Sequence, residues 1–144
     1  MITLDISYRQ LAVFVADIPS PYNNWSIESF NQGFAYREES VSFDTIEDGI
    51  FQVYINEEKS INREELIRKI VVPLKTQNGF ELGSLTSTIR IEISPGYYMI
   101  EYSLYKGNII CIKIRKGEVE PEILVMNDKE LIRKEDLFLQ EAQA

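Results

Sequence analysis

Apolar and polar residues alternate from the start of the chain. Leu4, Ile6 and Tyr8 interleave with Asp5, Ser7 and Arg9, which is the period of a strand with one buried face. The pattern then thickens to Leu11-Ala12-Val13-Phe14-Val15, a run that suits a strand covered on both faces. A turn-rich break follows from Asp17 to Asn24. The period then changes, because Trp25, Ile27, Phe30 and Phe34 recur at helical spacing. Asn24 is the first candidate N-cap and Ser26 the second, and Gly33 stands where such a helix would end. A short helix is therefore expected near residues 26–31, with Trp25 largely buried.

Alternation resumes at Val41 and Phe43, and again at Phe51, Val53 and Ile55, across the turn Glu47-Asp48-Gly49. Residues 56–62 read as a polar loop. Residues 64–69 allow a helical start, but Ile70-Val71-Val72 predicts a strand up to Thr76. Pro73 within it implies an edge or a bulge. Asn78-Gly79 marks a hairpin. Strands are then expected at 80–85, 87–94 and 97–105, around Ile112, and at 123–126. Along the stretch 97–105, Tyr98 and Tyr102 share one face, while Tyr97 and Tyr105 share the other. Asn127-Asp128-Lys129-Glu130 resembles a capping box and predicts a C-terminal helix at about 128–140. Short strands with turns at roughly 8–12-residue spacing predict a mainly β fold, an antiparallel β-sandwich or open barrel. The 144 residues are expected to form a single domain.

Charge and composition narrow the function classes. The net charge is −8. From Glu118 onward eight acids face three bases, so −5 of that total sits near the C-terminus. Such a chain is a poor direct ligand for nucleic acid, whose phosphates call for Lys and Arg. It suits a basic protein surface. The chain contains no histidine, so it lacks the usual neutral-pH acid/base group and the commonest transition-metal ligand. No zinc spacing, phosphate-cradling loop or nucleophile elbow occurs. The stretch Gly79 to Ser84 lacks a Walker lysine and reads as hairpin geometry. Cys111 is the single cysteine, which precludes an intrachain disulfide and reads as a half-buried apolar residue. Without a basic, apolar leader or a membrane-length apolar run, the expected location is cytoplasmic. No enzyme activity, cofactor or bound metal is expected.

An ordered set of residues resembles the competence protein J (ComJ) family. It comprises Ile6-Ser7-Tyr8-Arg9-Gln10 with Val13-Phe14, then Trp25, Glu28 and Gly33-Phe34-Ala35, then Val41-Ser42-Phe43. It continues through Lys69-Ile70-Val71-Val72-Pro73-Leu74, Asn78-Gly79, and Pro95-Gly96 before Tyr98. The resemblance runs from about Asp5 to Tyr105. It implies an inhibitor of a DNA-entry nuclease, an immunity-type partner with no chemistry of its own. Trp25 and Phe43 fit core positions in such a protein.

The expected partner is thus a basic protein such as a DNA nuclease, whose cationic cleft an acidic loop can occupy. Glu38, Glu39, Asp44, Glu47 and Asp48 are the candidate contact residues, because they cluster around a hairpin tip. The alternative is a small C2-like sandwich module that binds calcium, a ligand or a membrane surface. That reading needs loop carboxylates to converge on one point.

Overall fold

The computed structural model describes residues 1–57 and 63–126. The helix expected at 128–140 lies outside them. The described residues form two sheets. The first has the order β1 (Ile2–Ile6), β5 (Gly49–Ile55), β10 (Ile109–Lys116), β9 (Gly96–Tyr105), β6 (Leu66–Thr76) and β11 (Glu122–Met126). The second has the order β3 (Phe34–Arg37), β4 (Ser40–Asp44), β2 (Gln10–Val15), β7 (Phe80–Ser84) and β8 (Ser87–Ile91). The β5–β10 pair is parallel, and the other pairings among these strands are antiparallel. The sheets remain open and pack face to face, which makes the architecture a sandwich rather than a barrel.

Alternation explains the core. Leu4, Phe51, Val53, Ile100, Tyr102, Ile110 and Ile112 point inward from the first sheet. Leu11, Val13, Phe43, Phe80 and Leu82 meet them from the second. Phe43 stacks on Tyr102 at 4.4 Å between ring centroids, nearly parallel at 6°. Phe80 meets Tyr98 edge-on at 5.6 Å. As the tyrosine parity requires, Tyr98 and Tyr102 are buried, and Tyr97 is exposed. The unbroken apolar run of β2 lies in the middle of its sheet, buried at every position.

Pro73 is accommodated by the limits of one pairing. β11 covers β6 only from Arg68 to Val71. Pro73 pairs with Met99 of β9 and has no strand on its other side, as its missing N–H requires. The helical start at 64–69 does not form. A 3-10 turn spans Arg63–Glu65, and β6 begins at Leu66. The β-branched run behind it pairs along the whole of β9, and that pairing overrides the local helix preference.

The chain crosses between the sheets at two corners that decide where the site lies. One corner is Ser7-Tyr8-Arg9, between β1 and β2. The other is Thr45 to Asp48, between β4 and β5. They are brought together because β1 pairs with β5 (Ile6 opposite Gly49) while β2 pairs with β4 (Gln10 opposite Asp44).

Candidate functional site

The two corners are stitched by backbone and side chain. Thr45 N donates to Arg9 O at 2.9 Å, and Arg9 N donates to Asp48 Oδ1 at 2.7 Å. Tyr8, Arg9 and Ile46 take left-handed backbone angles, with φ of 57°, 55° and 68°. For residues with a Cβ such angles cost of order 1–2 kcal/mol each, and Ile46 is β-branched besides. The strain puts the Tyr8 side chain at the tip of its corner, 76% exposed.

A buried charge network holds this arrangement. Asp44 is 3% exposed. Its carboxylate accepts from both arms of the Arg9 guanidinium, from Nε at 3.3 Å and Nη2 at 3.0 Å. Arg68 reaches the same carboxylate from the other sheet, with Nη1 3.4 Å from Oδ2. Ile46 N donates to Asp44 Oδ1 at 2.8 Å, and the Tyr102 hydroxyl donates to Asp44 O at 3.1 Å. Arg68 is fully buried. Sequence reasoning missed it, although its position carried a signal. Arg68 is in phase with Leu66 and Ile70 on the inward side of β6, and a cation there must meet a carboxylate.

Helix α1 (Ile27–Gln32) closes the site, and it turns its polar side toward the core. Ser26, not Asn24, is the N-cap; its Oγ accepts from Ser29 N at 3.1 Å. Gly33 ends the helix in the left-handed conformation, as its position suggested. The buried helix residues are Ser29 and Gln32. Gln32 Nε2 donates to Phe34 O at 2.9 Å, and Asp44 N donates to Gly33 O at 3.0 Å. These polar ties fix the polar face inward. Ile27 and Phe30 therefore face out, 75% and 50% exposed. Trp25 is likewise not a core residue but half-buried. It lies against Phe30 at 5.1 Å between ring centroids and donates from Nε1 to Gln10 Oε1 at 3.2 Å. Tyr8, Arg9, Trp25, Phe30, Asp44 and Asp48 line one open cleft of about 380 Å³.

The five acidic candidates separate into three situations. Glu47 and Asp48 are exposed on the second corner, beside the cleft. Asp44 is buried and engaged by two arginines, so it supports the corner and does not offer a surface contact. Glu38 and Glu39 sit on the turn between β3 and β4, at the opposite end of β4 from Asp44. The structure thus does not bring the five together around one tip.

Among the described residues, no group of three or more Asp, Glu, Cys or His is placed to hold a metal ion. The loop carboxylates do not converge, and the calcium-module reading finds no support there. No helix among the described residues is long and apolar enough to cross a membrane.

Three tyrosines carry a pH signature. Burial raises the hydroxyl pKa of Tyr36, Tyr22 and Tyr105; Glu38 adds to it at Tyr36 and Glu81 at Tyr22. A raised folded-state value means that stability is fully present below the unfolded tyrosine pKa and is lost as pH rises through the folded one. Stability should therefore hold up to about pH 9 and decline above about pH 10. Tyrosinate absorbance at 295 nm should lag that of the urea-unfolded chain. Coincident titration curves would contradict the burial argument.

Comparison with known proteins places the chain. The family model for competence protein J (ComJ) matches residues 3–115. A curated relative from Bacillus subtilis (strain 168), named DNA-entry nuclease inhibitor, is 28% identical over 101 residues, covering 67% of this chain and 75% of the relative. The crystal structure of Bacillus subtilis ComJ, described as an inhibitor of the DNA degrading activity of NucA, superposes with a TM-score of 0.67 at 20% identity. It covers 81% of this chain and 94% of that one. The match spans both sheets from β1 to β10 and includes both corners and α1, so the chain belongs to the competence protein J (ComJ) family.

Proposed function

We propose that this protein is a non-catalytic inhibitor that acts by docking on a DNA-degrading nuclease. The observation that carries this reading is the family match over residues 3–115, together with the Bacillus subtilis relative named for nuclease inhibition. Charge supports it. The chain carries −8, while a cleft that holds DNA phosphates must be basic. Chemistry supports it too, since a chain without histidine, and without a motif-grade site, is better equipped to bind than to turn over substrate. The exposed pair Glu47 and Asp48 gives the nuclease a local acidic contact. Glu38 and Glu39 supply a second acidic point at the other end of β4 and add to long-range steering.

The test is direct. The purified chain should block DNA degradation by NucA of Bacillus subtilis and should itself leave DNA intact. Attraction between the two surfaces raises the association rate and is screened over about 8 Å at physiological ionic strength. The double substitution Glu47→Gln/Asp48→Asn removes two charges and preserves an acceptor for Arg9 N. It should slow association at low salt by on the order of tenfold. The difference should shrink as salt is added. Stopped-flow rates indifferent to both salt and the substitution would show that these carboxylates do not steer the encounter.

A further inference from the structure

We infer that the nuclease docks on the aromatic face made by Tyr8, Trp25, Ile27 and Phe30, with Glu47 and Asp48 as its acidic rim. The inference rests on the nuclease-inhibitor reading and goes beyond it by naming the surface. The occupant is a cationic protein surface: apolar side chains cover the aromatic centre, and an arginine or lysine meets the rim.

The first observation is the inverted helix. A six-residue helix that buries serine and glutamine while exposing isoleucine and phenylalanine does not use its apolar residues for this fold. Ile27 and Phe30 are three residues apart and so lie on one side of α1. Phe30 is joined to Trp25 by ring contact, and both share the cleft with Tyr8. Two chain segments thus bring Tyr8, Trp25 and Phe30 to one cleft, with exposed Ile27 on the same side of α1 as Phe30. Exposed apolar surfaces on otherwise polar proteins mark binding sites, and tyrosine and tryptophan are the residues most often found at their energetic centres.

The second observation is the rigidity behind the face. Two left-handed residues hold Tyr8 out, and the Arg9–Asp44–Arg68 network fixes the corner beneath it. Preorganised aromatic side chains lose little freedom on binding, which favours affinity.

The third observation is charge, and it selects the partner. Arg9 and Arg68 share the Asp44 carboxylate, so these three groups sum to one positive charge, which the two carboxylates of Glu47 and Asp48 outweigh. Asp48 lines the cleft and Glu47 stands next to it, both exposed. An incoming cation would meet their carboxylates and the faces of Trp25 and Tyr8 together. The surface is therefore complementary to a basic protein, and the overall charge of −8 draws such a partner in.

The experiment compares three forms of the full chain as inhibitors of NucA-catalysed DNA degradation. Ile27→Ser/Phe30→Ser alters two exposed side chains and should leave the thermal melting temperature within a few degrees. It should raise the concentration for half-inhibition at least tenfold. Tyr97→Ser removes an exposed aromatic at the far end of β9, roughly 26 Å from Tyr105 at about 3.3 Å per residue, and should leave inhibition unchanged. With 5-fluorotryptophan at Trp25, the single tryptophan, the fluorine resonance should shift on addition of NucA. If the unaltered chain inhibits and the double variant inhibits equally well, with no fluorine shift, this surface is not the contact while the nuclease reading stands. If the unaltered chain neither inhibits nor binds NucA, the reading falls and the docking face falls with it.

Discussion

Asp44→Ala should destabilise the protein by about 3–5 kcal/mol, the usual cost of removing one partner from a buried ion pair. The carboxylate is 3% exposed and serves Arg9, the fully buried Arg68 and the amide of Ile46 at once. Without it, Arg68 keeps its charge in the low-dielectric space between the sheets but loses the carboxylate, and water cannot replace it without opening the sandwich. The expected readout is a large fall in the urea midpoint with little change in slope. Asp44→Asn should fall between the two, because an amide oxygen can still accept from Ile46 N while the charge is gone. Adding Arg68→Met to Asp44→Ala should recover part of the loss, since an apolar side chain of similar length needs no counter-charge. A single-variant effect below about 1 kcal/mol would place the pair among weak surface bridges and remove the argument for a fixed corner.

Gly83→Ala should be nearly as damaging, by about 3 kcal/mol or more, at the upper end of the overpacking range. An added Cβ would stand 2.1 Å from Ser87 O, 2.7 Å from Thr88 Cα and 2.9 Å from Thr88 Cγ2. The first two are backbone atoms of β8, so no rotamer change relieves the contact. Either β8 moves away from β7 or β7 shifts against β2, where Gly83 lies opposite Ala12. Thermal unfolding monitored by circular dichroism would measure the loss. An unchanged melting temperature would mean that the β7–β8 hairpin can open at little cost. The turn residues Leu85 and Thr86 are exposed, so Leu85→Ser serves as the mild control.

The strands and turns were legible in the sequence because their causes are local. Alternation at Leu4 and Ile6, or at Ile110, Ile112 and Ile114, requires only that one face meets apolar partners. Asn78-Gly79 turns the chain through its own backbone preferences, with Gly79 at positive φ. The same local logic marked Gly33 as a helix end. The ordered residues from Asp5 to Tyr105 already carried the family resemblance, and the matched span, 3–115, extends it through β10.

The site was not legible in the same way, because its causes are long-range. The apolar residues of α1 carry helical spacing, and spacing alone cannot say which side of a helix meets the core. Here Ser29, Gln32 and the amide bond from Asp44 to Gly33 turn the polar side inward, and Ile27, Phe30 and part of Trp25 are left at the surface. The acidic residues from Glu38 to Asp48 are close along the chain, but β4 carries Glu39 and Glu47 to opposite ends. Asp44 reads as one more exposed acid until Arg68, from the other sheet, is seen beside it. The sequence by itself determined the class of elements, a mainly β fold and the family resemblance, while the choice of sandwich over open barrel came from the two sheets. Only the pairing of β1 with β5 and of β2 with β4, which sets two distant corners side by side, decided which residues are buried charges and which form a face, because burial and ion pairing are properties of neighbours that the chain order does not name.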